Sequence, residues 1–166
     1  RIVIFAVAAA LGFSHYAINS SLTLECCEPF DGSEMQLSAR VTDYPDERSG
    51  FTLLYVKITD GSVPNVNATM FCYSDELPSL RPGDEITFTA KLRSASERYG
   101  EETDTNISKG VYLCGSVEGL VEKTGRWGAS FIYFPKYIGH ALHTEIGEVF
   151  PDDASHFMKA LLAGYK

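Results

Sequence analysis

The sequence predicts a mainly β protein: a small five-stranded barrel with a hydrophobic helix before it and amphipathic helices after it. In the middle of the chain, apolar and polar residues alternate with a period of two, which is typical of half-buried strands. The strand-like runs are short and separated by turn residues, and closing such a sheet removes its exposed edges. Toward both ends this alternation is lost, and the apolar residues form a continuous run or recur at helical spacing.

The N-terminal segment, RIVIFAVAAALGFSHYAI, has no charged side chain between Arg1 and His15. This uncharged stretch is shorter than a bilayer requires, and the first residue is not Met. We therefore interpret residues 1–18 as the C-terminal part of a transmembrane helix and residues 19–34 as a linker. A signal-peptide core and a buried helix of a soluble protein are the alternatives. The transmembrane interpretation is favoured because NSSLTLECCEPFDGSEM shows no clear small-residue cleavage site.

The strands follow one another between recognisable turns. The first alternates from Met35 to Val41, and the next two are predicted at FTLLYVKI and VNATMFCY, with the polar turn TDGSVPN between them. Before the fourth strand, EITFTAKL, Pro82 and Gly83 set a tight turn that the Asp84 side chain can close. The fifth, GVYLCGSVEGLVEK, follows the long polar segment SASERYGEETDTNISK.

The order of these strands and turns resembles the oligonucleotide/oligosaccharide-binding (OB) fold, a small Greek-key barrel. The cues are the Asp-Gly turn after the second strand and the Gly-Asp turn in SLRPGDEI before the fourth. We therefore predict an OB-like β-barrel domain over residues 35–125. A helix often fills the connection between the third and fourth strands of this fold. Here SDELPSLRPGD leaves room for one turn of helix at most.

Residues 126–166 are predicted to form amphipathic helices. Pro135 can begin the first helix, in which apolar residues recur at helical spacing: Ile138, Leu142, Ile146 and Val149. Pro151 ends it, and Asp152 or Asp153 can cap a second helix with its own apolar stripe: Phe157, Met158, Leu161 and Leu162. Such helices either fold over the barrel or lie in the headgroup plane of a membrane.

The charge of the chain argues against tight, non-specific binding to nucleic acid. Its 166 residues carry a formal net charge of −8, with a pI of about 4.9, so the protein as a whole repels a polyanion. Such binding would need a local stripe of basic residues. Five cations can form one: Arg40, Lys57, Lys91, Arg93 and Arg126. Against them stand the acidic residues of the long polar segment, which are typical of a solvated loop.

The four cysteines, Cys26, Cys27, Cys72 and Cys114, show no metal-binding spacing, and we predict no metal site and no cofactor. If the domain faces an oxidising compartment, Cys72 and Cys114 are the first pair to test for a disulfide. Strand parity speaks against that pair, because Cys72 falls on the predicted inner face and Cys114 on the outer face. Buried free thiols are the favoured state.

A hydrophobic span, a barrel and an amphipathic helix, in this order, resemble the N-terminal region of the ComEC family of inner-membrane DNA-uptake proteins. The family's G-D-x-[IV] turn is matched by Gly83, Asp84 and Ile86, and KGVYLCGSV loosely matches a segment near the end of the family's barrel. Its Pro followed by LL-x-G-[DEN]-[RK] is matched by Pro151 and LLAGYK, where Tyr165 departs from the pattern. The resemblance implies an extracytoplasmic barrel domain at the cell membrane, within a fragment of a larger protein whose channel domain follows.

If this barrel binds single-stranded DNA, the outer face of its second and third strands is the expected surface, because aromatic rings beside cations form stacking platforms there. Both faces of the second strand are apolar, so its parity is ambiguous; if Leu54, Val56 and Ile58 face the core, then Phe51, Tyr55 and Lys57 point outward, as Phe71 and Tyr73 do on the third strand. Lys91 and Arg93 share the outer face of the fourth. These seven residues are the candidate DNA-binding site. Packing of the same rings under a neighbouring element is the alternative.

No catalytic activity is predicted. The four histidines, His15, His140, His143 and His156, lie in the terminal segments, and neither a Ser-His-Asp order nor a phosphate-binding glycine loop occurs. The expected function is an extracytoplasmic module of a ComEC-like DNA-uptake channel that receives or guides single-stranded DNA. The alternatives are a structural or interaction module of a membrane protein and a small secreted OB-fold protein, both without nucleic-acid contact.

Overall fold

The computed structural model describes residues 2–74, 77–98 and 101–149, together with Ala154 and Met158. The strands are β1 (Glu34–Val41), β2 (Asp46–Arg48), β3 (Phe51–Ile58), β4 (Asn67–Cys72), β5 (Asp84–Ser94), β6 (Glu97–Arg98), β7 (Glu101–Glu102) and β8 (Val111–Arg126). The α-helices are α1 (Ile2–Cys27) and α2 (Phe134–Val149), and short 3-10 helices occupy Glu28–Phe30, Ile107–Lys109 and Ser130–Tyr133.

Five of these strands close into a barrel in the order β1-β3-β4-β8-β5, with β5 returning to β1. Closure depends on β1, which is antiparallel to β3 through Ala39–Val41 and to β5 through Glu34–Arg40. The β4–β8 pair is parallel, and the other pairs are antiparallel. The predicted five-stranded OB-like barrel is therefore confirmed, with the fifth predicted strand extending to Arg126 as β8.

The barrel core consists of the side chains at alternate positions of each strand. On β5, Ile86, Phe88, Ala90 and Leu92 are buried, as the alternation predicts. Leu54, Val56 and Ile58 supply the inner face of β3, so the inward parity inferred for this strand is confirmed. Burying these apolar side chains is the main favourable term that stabilises the barrel.

The barrel has two rims, defined by the directions of its strands. The upper rim carries the β1–β3 connection with β2, the β4–β5 connection and the chain that leaves β8. The lower rim carries the β3–β4 connection and the long segment between β5 and β8, which contains the β6–β7 hairpin. The two helical ends of the chain meet the barrel at opposite rims.

Helix α1 approaches the lower rim. It continues beyond residue 18 to Cys27, so the first part of the predicted linker is helical, and Cys27 is fully buried in the barrel core. The Ser20 hydroxyl lies 3.3 Å from that of Tyr112, and the Tyr16 hydroxyl donates to the carbonyl of Ile107. Many of its apolar side chains are exposed, among them Phe5, Leu11, Phe13 and Ile18. In the described part of the chain, no helix combines the length and apolarity needed to cross a membrane.

Helix α2 lies against the upper rim. The Lys136 ammonium donates to the carbonyl of Thr42 and pairs with the Asp43 carboxylate at 2.6 Å, while the Tyr137 hydroxyl donates to the carbonyl of Pro82. Of the predicted apolar stripe, only Ile146 is buried, and Ile138, Leu142 and Val149 are exposed. The predicted second helix lies outside the described residues except for Ala154 and Met158, which are helical.

The turn before β5 closes as its sequence predicts. The Asp84 carboxylate, 1% exposed, accepts the backbone N–H of Arg81 at 2.9 Å and pairs with the Lys123 ammonium at 2.7 Å. Gly83 has a φ of 91°, which favours glycine, and a Cβ atom built there would lie 2.7 Å from the Cβ of Ser130. The turn thus holds both the β5–β8 pair and the chain that leads into α2.

Substituting Gly83 by Ala should destabilise the fold by roughly 1–3 kcal/mol, because an alanine is strained at this positive φ and its Cβ would overlap Ser130. Urea unfolding of the full chain measures this change in free energy. The matched control is Gly50→Ala. Gly50 also has a positive φ, 88°, but a Cβ atom there meets no neighbour within 4 Å, so a smaller loss is expected. Equal losses would show that the contact with Ser130 contributes nothing.

All four cysteines are free, and Cys72 faces the core while Cys114 lies on the outer side of β8. The parity that spoke against a disulfide is therefore confirmed. Burial raises the pKa of the Cys114 thiol to about 11, and burial, followed by the neighbouring Cys26, raises that of Cys27 to about 11. At neutral pH both thiols are protonated and poor nucleophiles.

Alkylation with iodoacetamide at pH 8 should therefore modify Cys26, which is exposed, well before the other three cysteines. For Cys114, a pKa of about 11 leaves roughly one thiolate in a thousand at this pH. Peptide mass spectrometry after short reaction times gives the order of modification. Rapid labelling of Cys114 in the folded protein would contradict the burial of its thiol.

Candidate functional site

The outer face of β3 and β4 carries the predicted aromatic residues. The ring of Phe51 lies 5.7 Å from that of Phe71 and 6.0 Å from that of Tyr73, measured between centroids. Tyr55 pairs with Thr69 one step further along the strands, and Lys57 pairs with Asn67. The outward parity of these five residues is as predicted, and the three rings nearest the upper rim form one cluster.

Exposure differs within this face. Phe51, Tyr55, Lys57 and Phe71 are half-buried, whereas Tyr73 is 63% exposed. Leu53 also points outward between them, yet it is only 7% exposed and does not belong to the barrel core cluster. The face therefore contains rings that pack against their neighbours, and Tyr73 offers the most accessible ring for a ligand.

Lys91 and Arg93 are exposed on β5, as predicted, but they lie on another side of the barrel. Lys91 and Phe71 both pair with Ser116, and Arg93 and Thr69 both pair with Cys114, so β8 separates the two groups. In a five-stranded barrel each strand turns the outward direction by about a fifth of a circle. The two cations are therefore level with the aromatic residues along the barrel but do not share a face with them.

The other two cations of the predicted stripe are engaged near the upper rim. The Arg40 guanidinium lies 3.8 Å from the centroid of the Trp127 ring and 3.7 Å from the Glu85 carboxylate. Arg126 donates to the hydroxyl of Tyr137 at 3.0 Å. Because these partners lie at different places on the barrel, the five cations do not form one continuous stripe.

A groove of about 650 Å³ opens at the upper rim beside the ring cluster. Phe51 and Tyr73 line it together with the β1–β3 connection, the β4–β5 connection and one residue of α2, His140. Its described charged residues are Glu47 and Arg48, and Arg48 pairs with Asp46 at 2.8 Å. We call this cavity the rim groove. The charges of its described lining residues balance, and several of these residues are aromatic.

Tyr44 and His140 stack in the wall of the rim groove. Their ring centroids lie 3.8 Å apart with an interplanar angle of 12°, and Tyr137 meets Tyr44 edge-on at 6.5 Å. Burial raises the pKa of the Tyr44 hydroxyl, and the positive charge of Arg81 opposes that shift. The Tyr44 ring is thus neutral at physiological pH, and through its contact with His140 it joins the β1–β3 connection to α2.

Sequence reasoning missed Tyr44 and His140 as groove residues. Tyr44 occurs in the turn DYPDERSG, and His140 occurs in the predicted amphipathic helix of the C-terminal segment. Among the described residues, no group of three or more His, Cys, Asp or Glu side chains is placed to hold a metal ion. No local pattern joins residues this far apart in the sequence, so only the docking of α2 on the rim could bring them together.

The comparisons with known proteins add a structural likeness. No protein-family model matches the sequence, and no curated protein is similar to it. A solved structure described as OBody AM3L09 bound to hen egg-white lysozyme is similar to this chain, with a TM-score of 0.40 and 11% identity. The match covers 63% of this chain and 92% of that one. The OB-like fold is assigned here from the strand order and pairings.

Substituting Tyr73 by Ala should change the free energy of unfolding by less than about 0.5 kcal/mol, because most of its side chain is exposed. Phe71→Ala should cost more, about 1–3 kcal/mol, since its half-buried ring packs against Phe51. Chemical denaturation of the two variants measures the difference. If Tyr73→Ala were as destabilising as Phe71→Ala, the Tyr73 ring would be part of the folded packing rather than an accessible surface.

Proposed function

We propose that this barrel binds single-stranded DNA through the rim groove and the adjoining outer face of β3 and β4. The observation that carries the proposal is the grouping of four rings around one open cavity. Phe51 and Tyr73 form one part of it, and the stacked pair of Tyr44 and His140 forms another. In OB barrels, the outer face of these two strands and the neighbouring loops are the usual ligand surface.

The chemistry expected at this site is stacking of unpaired bases. A base stacked on an aromatic ring contributes about 1–3 kcal/mol, and the contribution depends little on sequence because every base has a π-face. The exposed ring of Tyr73 can accept a base from solvent, and the half-buried ring of Phe51 holds it from one side. With a net charge of −8, the chain as a whole repels a polyanion at long range, so we expect low affinity.

The setting that we propose is the one implied by the resemblance to the ComEC family. There the barrel stands outside the cell membrane, next to the channel domain of its parent protein, and receives or guides the incoming strand. The exposed apolar side chains of α1 and α2 are compatible with neighbours such as lipid or further helices. The proposal involves no chemical step and no cofactor.

A structural or interaction module is the second candidate. It is favoured by the half-burial of Phe51, Tyr55 and Phe71 and by the exposed apolar residues of α2, Ile138 and Leu142. An aromatic face of this kind also suits a protein neighbour. This candidate predicts that nucleic acid does not bind and that the same surface is covered in the parent protein.

The full chain should bind a labelled oligothymidylate weakly, with an affinity that falls as salt rises. Tyr73→Ala should weaken binding by roughly five- to a hundredfold, the equivalent of one lost stacking contact. Fluorescence anisotropy at low salt measures both. The control is Phe13→Ala, which removes an equally exposed ring from α1, the helix that meets the opposite rim.

Absence of binding by the unaltered protein at low salt would support the interaction module instead. A similar loss of affinity in Phe13→Ala and Tyr73→Ala would show that the rings act through general stickiness and not through the rim groove. Unfolding curves of the two variants keep loss of binding separate from loss of fold.

A further inference from the structure

A second cavity, next to the rim groove, concentrates positive charge in an acidic protein. It measures about 560 Å³ and is lined by Arg81, Lys123 and Arg126, with hydroxyls from Ser79 and Thr124 and one carboxylate, Asp84. We call it the basic pocket. Among the described residues that line it, three cations face one acid, although the chain as a whole carries a net charge of −8.

The carboxylate in the basic pocket is not available to repel an anion. Asp84 is buried, and its Oδ2 atom is already bonded to the Arg81 backbone N–H and the Lys123 ammonium. Glu85, the next residue of β5, lies at the edge of the pocket: its Oε2 atom is 3.5 Å from the position of a Cβ atom built on Gly125, and its Oε1 atom faces Arg40 at 3.7 Å. The two arginines therefore supply positive charge that the pocket itself does not neutralise.

The donors of the basic pocket point to an oxyanion. Within the described part of the chain, the exposed guanidinium of Arg81 has no hydrogen-bond or ion-pair partner. Arg126 uses one guanidinium nitrogen, Nη2, to bond Tyr137, which leaves several of its five donors for a ligand. A planar guanidinium matches the oxygens of phosphate in a two-pronged arrangement, as an ammonium does not.

A β-bulge in the β5–β8 pair shapes this pocket. The β5–β8 register shifts between Glu85, which pairs with Gly125, and Ile86, which pairs with Lys123, so Thr124 is an extra residue on β8. Such a bulge redirects the side chains around it. Here the bulge brings the Lys123 ammonium to the Asp84 carboxylate, while Arg126 is the residue of β8 that pairs with Asp84.

The basic pocket and the rim groove adjoin. Ser79 lines both cavities, and Tyr44, in the wall of the rim groove, interacts electrostatically with Arg81 and Arg126. A stacking surface and a cationic site are therefore neighbours, as the bases and the phosphates of one nucleotide strand are.

We propose that the basic pocket is a phosphate-binding site, and that Arg81 is its principal unpaired cation. Resting on the proposed function, the inference further assigns the phosphate to the backbone of the strand whose bases stack in the rim groove. The rim groove would thus read the bases without sequence preference, and the basic pocket would fix the position of the backbone.

The test uses the full chain and three variants. Arg81→Gln removes the charge but keeps the backbone N–H that bonds Asp84, Arg81→Lys keeps the charge without the guanidinium fork, and Lys109→Gln removes a cation near the lower rim. Anisotropy of labelled oligothymidylate is measured over a range of salt concentrations. Arg81→Gln should lower the affinity about three- to tenfold and reduce the salt slope by about one.

In the same titration, Arg81→Lys should keep the salt slope and lose only part of the affinity, and Lys109→Gln should behave like the unaltered chain. If Arg81→Gln and Lys109→Gln gave the same affinity and slope while the oligonucleotide still bound, the basic pocket would not hold the backbone. The proposed function would survive that result, and the further inference would not.

A second measurement makes the inference independent of DNA binding. Inorganic pyrophosphate is titrated into the ¹⁵N-labelled chain, and the amide signals of Thr124 and Gly125 are followed. Saturable shifts that disappear in Arg81→Gln support a phosphate site even if oligothymidylate does not bind, in which case the proposed function alone fails. Absence of saturable shifts at these residues overturns the phosphate site.

Discussion

The pairing of β1 with two partners is the constraint on which the rest of the molecule depends. Its C-terminal part bonds β3 and all of it except Val41 bonds β5, so one strand closes a sheet that would otherwise have two open edges. Closure brings the β1–β3 and β4–β5 connections to the same rim, along with the end of β8. The rim groove and the basic pocket both arise from that meeting.

Hydrogen bonds and an ion pair connect the elements of the upper rim to one another. The Gly83 turn, the Asp84–Lys123 pair and the Tyr137 hydroxyl tie β5, β8 and α2 together. Lys136 of α2 also links the β1–β3 connection to this group through its hydrogen bonds to Thr42 and Asp43. Because these elements are cross-linked by hydrogen bonds, the backbone that carries the rings and cations is preorganised, which lowers the entropic cost of binding a flexible strand.

The cations of this barrel fall into two separate groups. Lys91 and Arg93 are exposed on β5 with β8 between them and the rings, whereas Arg81 and Arg126 lie beside Tyr44 at the rim. In a protein of net charge −8, local grouping matters more than the number of cations, since screening limits each charge to about 10 Å at moderate salt. The cations nearest the rings are therefore the relevant ones for a ligand held there.

The sequence by itself determined the barrel strands, the parity of β1 and β5, the Gly83–Asp84 turn and the helical character of residues beyond Pro135. On β3 both faces are apolar, so alternation left its parity open. These features are local, because alternation, turn chemistry and helical spacing act over a few residues. Their agreement also made the OB-like strand order recognisable from turns alone.

Only the tertiary structure decided which outward residues meet. In the folded barrel, Lys91 and Arg93 lie apart from the aromatic face. His140 stacks on Tyr44, although the two residues are far apart in the sequence. A bulge at Thr124 brings Lys123 to Asp84. Each of these outcomes depends on register, barrel curvature or the docking of a helix. Such properties are set by the packing of the whole molecule and leave no pattern in a short stretch of sequence.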